Sequence, residues 1–139
     1  MKTITKNQLT FATLISILTL AFRFGLSNLL DQRDFLLVWV LAAVYAILMF
    51  ISGYFIGKKD HESFPYADSG FKFHLITFVV FVSVSEIWYL LEYNSVYEYI
   101  KTVHLTAIFW GIGLLVHYIF FRRTRRNAIK GIDRSEIFD

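Results

Sequence analysis

The run FLLVWVLAAVYAILMFISGYFIG, residues 35–57, holds twenty-three residues and not one charge. A helix rises about 1.5 Å per residue, so the run reaches roughly 34 Å, enough to cross a bilayer core of about 30 Å. It is apolar all round, with no polar face to show to water. A chain of 139 residues buries only part of its own surface on folding, so lipid must solvate such a segment. This reading decides the fold class.

Working outward, three more apolar runs of similar length appear at residues 9–30, 71–91 and 99–121. The separators are polar: Asp31-Gln32-Arg33-Asp34, residues 58–70, and residues 92–98. The only proline, Pro65, lies in a separator, where it interrupts no helix. The runs lack the period-2 alternation of a membrane barrel. Composition agrees, with 56% hydrophobic and 19% aromatic residues and a mean hydropathy of +0.52. The expected fold is all-α, a single four-transmembrane-helix bundle with a basic tail over residues 122–139. The first run is expected to be a retained helix rather than a signal peptide, because Arg23 interrupts its far end and no A-x-A-like cleavage site follows.

Basic residues orient the chain. Lys2, Lys6, Lys58, Lys59, Lys72, Arg122, Arg123, Arg125, Arg126, Lys130 and Arg134 fall on one side of a four-span topology. Arg33 and Lys101 fall on the other, and Arg23 lies within a span. The positive-inside rule makes the first side cytoplasmic, with both termini there. The net charge of +3 gathers at span ends, which points to anionic lipid headgroups and away from nucleic acid. In the tail, Arg122, Arg123, Arg125 and Arg126 are expected on lipid. Ile137 and Phe138 would offer a small apolar contact to lipid or a partner. Trp39, Trp88, Tyr89, Tyr93, Tyr97 and Tyr99 lie near span ends and are expected as interfacial anchors.

Membrane helices associate through small residues and polar contacts. Gly53 and Gly57 form a GxxxG pattern, Ala42 and Ala46 extend its stripe, and Gly111 and Gly113 sit in the fourth run. The stripe reads as packing inside the bundle or as a self-association surface. Charges inside spans are costly and are generally paired or functional. Arg23, Glu86 and His104 share a depth toward the outer leaflet, so an Arg23–Glu86 pair with His104 nearby is the expected polar cluster. His74 and His117 share a second depth and are candidate haem or metal ligands. His104 points some 140° away from His117 around a helix of about 100° per residue, so the two cannot serve one ligand. In the 58–70 segment Asp60, His61, Glu62 and Asp68 are ligand types, expected in a solvated loop.

Residues 71–121 resemble the bacterial two-transmembrane (2TM) domain family. Phe73-His74-Leu75 and the run from Trp110 through Gly111, Ile112, Gly113 and Leu114 to His117 carry the likeness. The resemblance implies a paired-helix module of a bacterial inner membrane, with His74 and His117 belonging to it, and implies no reaction. The first two runs fall outside it.

Cysteine is absent, so thiolate metal sites and disulfides are excluded. There is no Walker motif, HExxH or GxSxG, and Ser83 one turn from Glu86 is a common helical spacing. No enzyme activity and no cofactor are therefore expected. The expected function is that of a small multi-pass inner-membrane protein acting as an accessory subunit beside other membrane subunits, or as a homo-oligomer. Haem or metal-based electron transfer and proton or ion conduction stay open as alternatives.

Overall fold

The computed structural model describes the backbone of residues 5–63 and 69–130, with all side chains there except those of residues 61–63, 69, 121 and 124–130. The described residues form four helices: α1 (Lys6–Asp31), α2 (Phe35–Ser63), α3 (Ser69–Leu90) and α4 (Ile100–Lys130). All four are long and apolar enough to cross a membrane. Large apolar side chains cover the outside; Leu36 and Trp39 are each 76% exposed and Phe50 75%. A soluble monomer does not carry an apolar surface of that extent.

The helix ends follow from local chemistry. Thr5 caps α1 in a capping box: its Oγ1 accepts from the Gln8 amide and Gln8 Oε1 accepts from the Thr5 amide. Asp34 Oδ1 accepts from the Leu37 amide and starts α2 the same way. At the opposite end α1 and α3 stop alike. The Asp34 amide donates to Leu29 O and the Arg33 amide to Leu30 O. The Tyr93 amide donates to Trp88 O and the Glu92 amide to Tyr89 O. Both are Schellman endings, and Arg33 (φ 57°) and Glu92 (φ 59°) occupy the left-handed position usually given to glycine.

α1 runs through the centre. Gln8, Phe11, Ile15, Thr19, Arg23 and Ser27, spaced three or four apart, are its buried face. Against it α2 runs antiparallel, from Asp60 beside Thr5 and Gln8 to Leu41 beside Gly25. α3 runs parallel to α1, with Phe11 edge-on to Phe73 at 4.7 Å at one end and Ser27 bonded to Trp88 at the other. Leu18, Met49, Ile56, Ile76 and Val80 pack around the Phe11, Ile15 and Phe73 core. α4 runs antiparallel to α3, and among the described residues its backbone closely approaches that of α3 alone. The expected four-helix bundle is thus a three-helix core with α4 laid on one side. The end where α1 begins and α4 finishes is called the near end below, and the other the far end.

The expected polar borders shift. α2 continues through Asp60 to Ser63, so Asp60 belongs to a helix and is fully buried rather than solvated in a loop. α4 continues through Lys130, so Arg122, Arg123, Arg125 and Arg126 extend the helix rather than start a tail. Arg122 and Arg123 are exposed. Pro65, Asp68, Ile137 and Phe138 lie outside the described residues, as do the side chains of His61 and Glu62.

Of the small residues, Gly53 faces Phe11 of α1 at ordinary contact distance and Gly111 faces Phe78 of α3. Gly57 and Gly113 face open space. Ala42 is half-buried and Ala46 exposed, so the stripe is not one continuous interface. The closest approach falls at Gly25, where a Cβ would stand 3.0 Å from Leu41 Cδ2.

Candidate functional site

At the far end the 91–99 connection lies along the last two turns of α1. Ser95 Oγ donates to Asp31, and Glu98 turns inward. Glu98 Oε2 meets Arg23 Nη2 at 2.7 Å, with each side chain 5% exposed. Glu98 Oε1 accepts from Ser27 Oγ at 2.6 Å and from the Ser95 amide at 3.1 Å. Ser27 Oγ in turn accepts from Trp88 Nε1 at 3.0 Å. The Arg23 guanidinium carbon stands 5.3 Å from the centre of the Tyr89 ring. The carboxylate and the π-face offset part of the cost of burying this cation, while Arg23 Nε is buried with no hydrogen-bond partner among the described residues.

The expected Arg23–Glu86 pair is therefore replaced by Arg23–Glu98. Matching depths narrowed the candidates but said nothing of faces. Glu86 projects from the flank of α3 that meets α4, where His104 Nε2 stands 3.0 Å from its Oε1. This second pair is 40% exposed at Glu86 and 55% at His104. Both residues lie four positions inside their helix ends, about 6 Å from the far end of the spans.

The near end of the α3–α4 seam carries His74 and His117, whose ring centroids are 5.8 Å apart with planes at 57°. Their shared depth was legible, and the short α3–α4 connection makes them neighbours. Phe71 stacks on His117, and Phe78 and Phe81 pack on Trp110 further along. Among the described residues no set of three ligand-type side chains is arranged to hold a metal. His104 and His117 serve separate contacts, as their angular separation requires.

A third polar centre was not anticipated. Asp60, fully buried, accepts from Thr5 Oγ1 at 2.6 Å and from Gln8 Nε2 at 3.2 Å. One carboxylate thus clamps both side chains of the α1 capping box. At mid-depth Thr19 and Tyr45 share a hydrogen bond of 2.9 Å, and Phe22 stacks on Tyr45. The signal for these was present in α1, where Gln8, Thr19, Arg23 and Ser27 fall on one helical face amid apolar residues. Of the expected interfacial aromatics, Trp88 and Tyr89 are half-buried and engaged with α1, whereas Trp39, Tyr93 and Tyr99 are exposed.

A scan against protein-family models and searches of the curated proteins and of the solved structures each return no match. The polar geometry stands on its own.

Proposed function

We propose that this is a small multi-pass protein of the bacterial inner membrane, with both termini cytoplasmic. It acts through assembly, either as a homo-oligomer or as an accessory subunit of a larger membrane complex, and not as an enzyme. The observation that carries the reading is the Glu86–His104 pair. It lies inside the apolar band, yet its side chains remain 40% and 55% exposed, and α4, which carries His104, closely approaches α3 alone among the described helices. Ionisable groups at that position are costly against lipid and are at home against another protein. By contrast Arg23, Glu98 and Asp60 are enclosed by their own chain.

The basic residues support the orientation through the positive-inside rule, and Arg122 and Arg123 suit an anionic leaflet. Membership of residues 71–121 in the two-transmembrane domain family is part of the same proposal; it rests on the sequence likeness alone. Native mass spectrometry of protein extracted from its own membranes tests the reading. A multiple of 16.3 kDa, or added mass from another polypeptide, is expected. A bare monomer under conditions that preserve a known complex would sink it.

A second reading, proton or ion conduction by an oligomer, rests on the α3–α4 seam, which has Glu86–His104 at one end, Trp110 between, and His74–His117 at the other. Flux in liposomes that is unchanged by Glu86→Gln counts against it.

A further inference from the structure

The geometry points to a second copy of this chain as the occupant of the α3–α4 flank that carries Glu86 and His104. This inference rests on the assembly reading and names the partner. Within one copy the pair uses His104 Nε2 and Glu86 Oε1. When the pair is ionised, each copy retains one further donor, His104 Nδ1–H, and one further acceptor, Glu86 Oε2, on side chains that are 55% and 40% exposed. A twofold interface has one requirement: residue i of one copy meets residue j of the other, and j meets i. Glu86 and His104 meet it. A twofold axis along the membrane normal beside the pair sets each free imidazole N–H against the other copy's free carboxylate oxygen. The result is a closed ring of four groups with no net charge.

Depth favours the same occupant. Two copies inserted in the same direction hold their pairs at the same depth, so donor and acceptor are level without adjustment. An unrelated helix would have to bring a matched donor and acceptor to that one level. The rest of the flank suits a helix–helix contact. On α3, Val79, Ser83 and Leu90 share the Glu86 face, and on α4, Ile108 and Leu115 share the His104 face. All five are exposed in the single chain. Burying this stripe adds close van der Waals contact around a desolvated polar centre, which strengthens hydrogen bonds inside it.

The absence of cysteine makes the test clean. Ile108→Cys is introduced into the full chain in its native membranes and treated with a short bifunctional maleimide; Trp39→Cys, on exposed α2, is the control. A band at twice 16.3 kDa is expected from the first variant and not from the control. Adding Glu86→Leu with His104→Leu should lower the cross-linked fraction roughly tenfold, because two interchain hydrogen bonds vanish. Exchanging the two residues, Glu86→His with His104→Glu, should retain the band, since the ring keeps the same donors and acceptors. A detergent melt of each variant confirms that the single chain still folds. If the dimer band ignores the double leucine change, the pair is not the contact and the inference is overturned. A cross-link to a different protein in place of the dimer overturns the second copy and leaves the assembly reading standing. Monomer alone, with the introduced thiol of the Ile108→Cys variant fully reactive to a single maleimide, overturns both.

Discussion

Arg23 of α1 and Glu98 of the α3–α4 connection meet at 2.7 Å, and neither side chain is more than 5% exposed. The contact ties a loop to the central helix. Removing one partner leaves a buried charge alone, a loss of about 3–5 kcal/mol. Arg23→Met and Glu98→Leu should each lower the melting temperature in detergent sharply. The double variant Arg23→Met with Glu98→Gln should recover most of the loss, because glutamine can still accept from Ser27 and Ser95. Glu86→Gln, outside this centre, should shift the melt much less. Equal effects from Glu86→Gln and Glu98→Leu would show that the pairing is wrong.

At the near end, Asp60 joins α2 to the first turn of α1 through Thr5 and Gln8. Hydrogen bonds to a charged acceptor contribute about 1.5–3 kcal/mol. Asp60→Ala should therefore destabilise the protein by about that amount and fray the start of α1. Asp60→Asn, which keeps one oxygen for Thr5, should cost less. Hydrogen exchange at the α1 amides, read alongside the melt, checks both parts; unchanged exchange in Asp60→Ala would remove the clamp.

Glycines separate into close approaches and open positions. Gly25→Leu must displace Leu41, whose Cδ2 is 3.0 Å from where a Cβ would lie. Overpacking of this kind costs about 1–3 kcal/mol. At Gly113 an added Cβ would meet nothing within 4 Å, and Gly113→Leu should leave the melt of the isolated chain unchanged. A melt lowered by Gly113→Leu and untouched by Gly25→Leu would contradict the helix placement.

Glu92 closes α3 at φ 59°. A side chain in that conformation costs roughly 1 kcal/mol that glycine avoids. Glu92→Gly should raise stability by about that much, since Glu92 is exposed. A destabilised Glu92→Gly variant would mean that the carboxylate makes a contact of its own.

Much of the architecture was legible because it depends on local quantities. Run length and the lack of charge in residues 35–57 suffice for a spanning helix, and polar separators divide the four. Depth was legible too, because residues can be counted from a span end. That is how His74 was matched with His117, and Arg23, Glu86 and His104 with one another. Azimuth was not legible. Helices apolar on every side leave no mark of which face turns inward, and the GxxxG stripe therefore said little about where Gly53 and Gly57 would point.

The sequence by itself determined the number of membrane-length helices and where each begins to within three residues, while α2 and α4 run six and nine residues past their expected ends. The tertiary structure alone decided that Glu98, not Glu86, meets Arg23, that Asp60 is enclosed, and that among the described helices α4 leans on α3. The reason is physical. Span length and hydropathy are sums over neighbours in the chain, whereas an ion pair depends on rotation about helix axes and on the path of a connection. The fold of residues 91–99 over the end of α1 brings in Glu98 across more than seventy residues of sequence, and no local pattern records that path.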